Sequence, residues 1–167
     1  MKIVIEGCDG VGKTSVVNML AKKYGCDVVH MTGDDPKDCE FYHQSLRKNN
    51  VIYDRNVIGE MVYPRIFGRQ RELSHEQLAD IINMHKDVHF FVLTANPVTI
   101  QMRLSTRGTE CPEILNSLDY INAKFKVLAY EYGITEIDTT QMTQNQVVEE
   151  IEKIINEKEN HKNVKEV

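Results

Sequence analysis

The chain has no tryptophan, only 4 prolines and only 4 cysteines in 167 residues. Cys8, Cys26, Cys39 and Cys111 form no C-x-x-C pair and no ligand spacing with histidine. That excludes a cysteine-based zinc site and a disulfide framework, and leaves free thiols in a reducing, cytoplasmic compartment as the expectation. Long hydrophobic runs are missing too: none approaches the roughly 18 residues that a membrane span needs. An apolar strand pattern begins at Lys2, so no signal peptide and no membrane partner are expected. Positive charge is also in deficit. With a formal net charge of −5, a broad polyanion-binding surface is not expected, and nucleic acid is not an expected partner. No repeat and no Pro/Gly-rich linker divides the sequence, and its length suits one domain with a sizeable core.

What is present is an alternation. Short apolar runs at 2–6, 27–30, 51–53, 88–93 and 134–137 are separated by segments with helical patterning. That order predicts right-handed βαβ units and a parallel sheet covered on both faces. Helix starts are predicted near 36 (Asp35-Pro36), 74 (Ser74 with Gln77), 97 (Asn96-Pro97) and 143 (Thr143 with Gln146), from capping residues and N1 prolines. Another helix starts at Lys13, and a long one is predicted over 112–132, closed by Gly133. The domain is placed at 1–157, and the charged stretch 158–167 is read as a frayed tail.

Residues 7–14 read GCDGVGKT, which fits G-x-x-x-x-G-K-[ST] at Gly7, Gly12, Lys13 and Thr14. A strand pattern precedes it and a helical one follows, as a phosphate cradle requires. Gly7, Gly10 and Gly12 let the backbone turn N–H groups inward, and Val11 and Ser15 complete the loop and the first helical turn. The helix start adds its positive dipole end. Lys13 is expected on the β- and γ-phosphates of ATP and Thr14 on Mg²⁺. Asp9 is the anomaly, an acid in a loop built for anions.

A second signal is VIYDRNVIGEMVYPRIFGR at 51–69. Asp54 closes a strand at the carboxyl edge, where open α/β sheets bind ligands. It is expected to hold Mg²⁺ with Thr14. Arg55 offers a fixed fork of donors that can clamp two phosphate groups at once. In the basic cluster Arg65, Arg69 and Arg71, Arg69 is a candidate for the acceptor and Arg71 reads as a solvated side chain.

Taken together, these segments resemble the thymidylate kinases. The motif EGCDGVGKT is similar to that family's EGxDGxGKT, Asp54-Arg55 and Tyr63 match its Asp-Arg and Tyr, and Arg103, Arg107 and Gly108 match its lid, R-x-x-x-R-G. The segment EIDTTQMTQNQ is similar to its closing strand and adenine loop. The resemblance implies an α/β, three-layer P-loop NTPase fold, with a five-stranded parallel sheet, helices on both faces and an arginine-bearing lid around 103–113. It implies transfer of a phosphoryl group from ATP to a deoxynucleoside monophosphate, most like dTMP, with Mg²⁺. Asp9 would accept a hydrogen bond from the acceptor's 3′-hydroxyl, Arg55 would hold its phosphate, and Tyr63 would disfavour a 2′-hydroxyl. Lys13, Arg55, Arg103 and Arg107 would be catalytic, and Asp138, Thr139, Thr140 and Gln141 would flank the adenine.

The acceptor region departs from that family. It is much shorter, and the helix KDCEFYHQSLRKN has Ser45 where the family's Phe-x-x-x-Arg places the arginine. Thr32, Phe41, Gln44 and Glu60 join Asp9, Arg55, Tyr63 and Arg69 as acceptor candidates, and base identity stays open. Two other readings stand beside this one. A deoxynucleoside kinase would need a carboxylate base, for which Asp34 or Asp35 is available; a nucleotide-gated ATPase would need no acceptor residues. The apolar spacing in EQLADIINMH allows a helical homodimer interface as well as core packing.

Overall fold

The computed structural model describes residues 1–108 and 111–165, with side-chain surroundings up to 160. Positions 109–110 of the expected lid and 166–167 of the expected tail lie outside the described residues.

The five apolar runs become five parallel strands, β1 (Lys2–Gly7), β2 (Asp27–His30), β3 (Val51–Asp54), β4 (His89–Thr94) and β5 (Thr135–Asp138). They lie in the order β2-β3-β1-β4-β5. Central β1, with Ile3, Val4 and Ile5 wholly buried, is apolar on successive residues there because both of its faces are covered. β2 at the edge is largely exposed, including Val28, since one of its sides has no partner strand and little covers its faces. The chain leaves β1 towards one edge and later crosses from β3 over β1 to β4. The carboxyl ends of β1 and β3 are therefore a topological switch point, where such sheets place their ligands.

The helices are α1 (Lys13–Tyr24), α2 (Cys39–Leu46), α3 (Tyr63–Ile66), α4 (His75–Met84), α5 (Pro97–Arg107), α6 (Pro112–Leu115), α7 (Leu118–Glu131) and α8 (Gln144–Lys165). The Ser74–Gln77 capping box forms as predicted, as does the Asn96 cap, whose side chain accepts from Val98 N at 2.9 Å. Thr143 and Gln146 cap each other reciprocally. Two expectations need correction. The helix expected from 36 begins at Cys39, because Asp38 is the cap, accepting from Phe41 N. Asp35 instead accepts from Thr32 N and stabilises the preceding turn. The helix expected over 112–132 is two helices, broken at Asn116 and Ser117, whose short polar side chains favour local turns over a continuous helix. Its C-terminus is as expected: Gly133 has φ 62°, Ile134 N donates to Ala129 O at 2.8 Å, and Gly133 N donates to Tyr130 O at 3.4 Å, the Schellman pattern. The helix α8 runs on through the charged stretch from 158 as far as Lys165. Val147, Val148, Ile151 and Ile155 bury the α8 face that anchors it.

Candidate active site

The loop after β1 opens α1 with its N–H groups free. Gly12 caps the helix at φ 99° with no side chain satisfying the first turn, which leaves those donors for an anion. Gly7 is fixed by packing. At φ 137° it lies so close to β4 that a Cβ there would sit 2.1 Å from Leu93 O. Lys13 is buried and donates from Nζ to Cys8 O at 2.7 Å, folded back along its own loop. Burial pulls its pKa down, opposed chiefly by Asp9. The Cys8 thiol is pushed up to about 12 by burial, so it is a packing group rather than a nucleophile.

Thr14 donates from Oγ1 to Asp54 Oδ2 at 2.6 Å, bringing the two predicted metal ligands together. Asp54 is 1% exposed, and its Oδ1 has no hydrogen-bond partner among the described residues. A buried, unpartnered carboxylate oxygen beside a hydroxyl and an open helix N-terminus fits a hard cation shared with phosphates. Among the described residues no cluster of three His, Cys, Asp or Glu side chains could hold a metal by itself. His30 ends β2 in register with Asp54 and brings Nδ1 to 3.2 Å of Asp54 Oδ2.

Asp9 is 8% exposed and is gripped from the β3 side. Arg55 Nη2 donates to its Oδ1, and Tyr63 OH donates to its Oδ2 at 3.2 Å. Burial alone would raise the Asp9 pKa, but Lys13, Arg55 and the Tyr63 hydrogen bond outweigh it and the net shift is downward. Arg55 has φ 73°, a left-handed conformation unusual for an L-residue, and its buried Nε has no partner among the described residues. Strain and an unpaired donor on one arginine at a sheet's carboxyl edge make Arg55 a candidate for a functional position. Tyr63 is held between Phe67 and Phe125, with ring centroids 6.2 and 6.1 Å away.

Glu6 builds the segment after Arg55. It is wholly buried in β1, and its Oε1 accepts from the N–H groups of Asn56 at 2.8 Å, Ile58 at 2.9 Å and Gly59 at 3.2 Å. It thereby ties the 3₁₀ turn Ile58–Met61 to the strand carrying the phosphate loop. Sequence reasoning assigned Glu6 no role. An acid inside an otherwise apolar strand was the available signal, since such a side chain must find donors.

Two cavities meet here. The larger, about 850 Å³, runs over the phosphate loop from Asp9 to Ser15 and is walled by Arg103, Arg107 and Thr139. The smaller, about 130 Å³, lies under Thr32, Tyr42, Glu60, Tyr63 and Arg69. Arg55 lines both. Arg103 is pinned by Thr139, donating to its hydroxyl at 3.1 Å and its carbonyl at 2.8 Å. Arg107 faces the same cavity with no hydrogen bond among the described residues. Glu60 and Arg69 form a two-pronged pair at 2.7 and 2.5 Å.

Several expected positions fall elsewhere. Gly7 shapes the loop without lining the cavity. Asp138 and Thr140 bond to each other, and Thr140 Oγ1 accepts from Asn96 N at 2.7 Å, so they hold the turn; exposed Gln141 does not line the cavity. That wall comes slightly later in sequence, from Met142, Thr143, Gln144 and Val147. Phe41 packs edge-on against Tyr42, and exposed Gln44 donates to Glu40 one turn back, so neither lines the smaller cavity. Tyr42 takes that place because helical geometry turns it, rather than its neighbours, inward. Asp35 is occupied by Thr32, which holds its carboxyl below the usual range, and Asp34 is exposed; neither lines the larger or the smaller cavity.

Comparison with known structures gives the same architecture. The YorR protein of Bacillus subtilis, solved in complex with phosphorylated GDP, superposes with TM-score 0.82 at 23% identity, covering 96% of this chain and 99% of that one. A deoxyadenosine kinase from M. mycoides superposes at 0.60 and 17% identity, covering 94% and 100%. Thymidylate kinase from Candida albicans superposes at 0.60 and 17% identity, covering 95% and 92%. The chain has the P-loop kinase fold. In sequence, this P-loop kinase fold is 28% identical over 176 residues to a Pyrococcus furiosus protein provisionally named an adenylate kinase, covering 93% of this chain and 84% of that protein. It is 25% identical over 188 residues to cytidylate kinase 2 of Borreliella afzelii, covering 98% and 100%. No family model matches the chain. The names span several acceptors, so the resemblance widens from thymidylate kinases to nucleotide and nucleoside kinases as a class. Among the described residues no helix is long and apolar enough to cross a membrane.

Proposed function

We propose that the chain is a nucleoside monophosphate kinase that moves the γ-phosphoryl group of ATP onto the phosphate of a deoxynucleoside monophosphate. The observation that carries this reading is Arg55, one guanidinium lining both cavities and bonded to the phosphate-loop acid Asp9. A switch ATPase has no use for a second cavity sharing an arginine with the first.

In this reading the larger cavity takes ATP, with its phosphates on the α1 N-terminus and Lys13. Mg²⁺, held by Thr14 and Asp54, would neutralise charge on the β- and γ-oxygens. Arg55 holds the acceptor phosphate in line with the donor, and Arg107 on the lid side adds charge to the transferring group. Phosphoryl transfer depends mostly on such positioning and charge neutralisation. The acceptor oxygen is already ionised, so no general base is needed, in keeping with the absence of Asp34 and Asp35 from the cavities. Asp9 receives the 3′-hydroxyl and Tyr63 occupies the space beside C2′, which favours deoxyribose. The small acceptor cavity suits a single ring better than a purine. Met31 and Ile114 give it apolar surface for a methyl group, and Glu60, Arg69 and Asn56 give it polar groups for a base edge. These features support dTMP over AMP or CMP.

The test is a coupled ADP-release assay with ATP and Mg²⁺ across all ribo- and deoxynucleoside monophosphates and the free nucleosides. Highest kcat/KM with dTMP is expected. Turnover of nucleosides but of no monophosphate would overturn the reaction. A preference for AMP or CMP would overturn only the base.

A further inference from the structure

Glu60 and Arg69 line the smaller cavity and also a third one, of about 340 Å³. The rest of its wall includes Arg65, Arg71, Lys124 and Tyr120. Four cations thus face one space with a single carboxylate, in a chain whose formal net charge is −5. The Arg65 guanidinium carbon lies over the Tyr120 ring, 4.8 Å from its centroid, which holds the charged group itself at the wall of this cavity. Among the described residues Arg65, Arg71 and Lys124 make no salt bridge, although Arg71 is near enough to Glu76 to favour that carboxylate's charged form. The one carboxylate of the wall, Glu60, is already engaged by Arg69.

We propose that this third cavity is a second anion site, which takes a chain of linked phosphates and acts on acceptor binding through the Glu60–Arg69 pair. Clustered cations repel one another, and a multiply charged phosphate relieves that repulsion while satisfying several guanidinium donors at once. Arg69 stands at the boundary. A phosphate chain competes with Glu60 for its donors, and Glu60, 2% exposed, has little water to replace them. Loosening that pair reshapes the smaller cavity, so the anion and the acceptor oppose each other's binding, and by linkage the effect is reciprocal. The coupling to the acceptor rests on the monophosphate-kinase reading; the anion site itself does not.

The probe is inorganic triphosphate, at fixed free Mg²⁺. Isothermal titration into protein saturated with ADP–Mg²⁺, which fills the larger cavity, should show salt-sensitive binding. In the Arg71→Ala/Lys124→Ala double variant that binding should weaken at least tenfold, with ADP affinity unchanged. No binding to the wild type, or equal binding to both proteins, would overturn the site. Titration with dTTP beside triphosphate separates the two sources: tighter binding of dTTP assigns the ligand to a nucleotide tail, and equal binding to inorganic polyphosphate. With the activity in hand, triphosphate at saturating ATP should raise the acceptor KM about tenfold in the wild type and not in the double variant, whose basal kcat stays the same. A rise of equal size in both would overturn the coupling. Titration results are independent of turnover, so an absent activity would count against the proposed function and leave the binding result to decide the site.

Discussion

Replacing Glu6 by alanine tests the link between the central strand and the site. In the folded protein one carboxylate oxygen serves the N–H groups of Asn56, Ile58 and Gly59 at 2.8, 2.9 and 3.2 Å, all out of water. Hydrogen bonds to a charged acceptor contribute about 1.5–3 kcal/mol each, and a stranded buried donor costs about 1–3 kcal/mol. Part of that is offset, because keeping the carboxylate itself buried is costly. Its pKa is raised, chiefly by burial, against the lowering effect of these same hydrogen bonds. The net expectation for Glu6→Ala is a loss of about 2–4 kcal/mol. Glu6→Gln keeps the accepting oxygen and removes the charge. Since Oε2 has no partner among the described residues, the new amide NH₂ gains none either, and the cost falls to about 1 kcal/mol. Urea unfolding at pH 7 with unchanged m-values measures both differences. In the better-folded Gln variant, acceptor KM should rise more than ATP KM, because the tethered segment leads to Tyr63 and Glu60. A loss under about 0.5 kcal/mol for alanine, or equal losses for the two variants, would refute the reasoning.

Arg55→Ala should lower kcat about 10³-fold or more while ATP binding persists, given what an arginine at a transferring phosphoryl group contributes; near-normal turnover would remove Arg55 from the site. Asp54→Asn should raise the Mg²⁺ concentration for half-maximal rate at least tenfold, and an unchanged Mg²⁺ dependence would exclude Asp54 as a ligand. Gly7→Ala combines a left-handed φ with a Cβ 2.1 Å from Leu93 O, so it should cost about 3 kcal/mol or more in thermal or urea unfolding. Wild-type stability in that variant would show that β4 is not packed as described. Finally, His85, at the C-cap of α4, is buried with its Nε2 3.1 Å from His43 Nδ1, and burial, then His43, hold its pKa below the usual imidazole value. A depressed histidine pKa means that the unfolded chain binds the proton first. Its stability contribution is therefore complete above the ordinary pKa of about 6.5 and is lost as pH falls towards the folded value. Urea midpoints should drop between pH 7.5 and 5.5, less steeply in His85→Gln; identical slopes would reject this origin.

Periodicity found all five strands, because a strand buried on both faces must be apolar along its length, and β1, β3 and β4 are. It also fixed the starts at Ser74, Asn96 and Thr143, where capping is local chemistry between residues three apart or fewer. The start of α2 was misplaced because two acids, Asp35 and Asp38, could each cap a helix, and only the surrounding turn shows which one does. Of the candidate residues, 9–15, Asp54 and Arg55 were picked out by the loop motif and the strand end, and Tyr63, Arg103 and Arg107 by the family resemblance; all but Asp54 line one of the two cavities, and Asp54 bonds to Thr14 beside them. Phe41 and Gln44 were not distinguishable from Tyr42, because which residues of α2 face inward depends on how the helix is rotated against its neighbours. Glu6 was silent, since its partners are backbone N–H groups some fifty residues away in the chain.

By itself, then, the sequence determined a glycine-rich loop opening a helix with Lys13 and Thr14, a strand-ending Asp-Arg pair and a parallel α/β plan, because each is carried by neighbours in the chain. Tertiary structure decided what joins them. It bonded Asp9 to Arg55 and Tyr63, let Arg55 border two cavities, and set Glu60 and Arg69 as the partition before a third. These are contacts between residues far apart in the chain, made when β1 and β3 come to lie side by side, and local patterns in a sequence do not specify which side chains such pairing brings together.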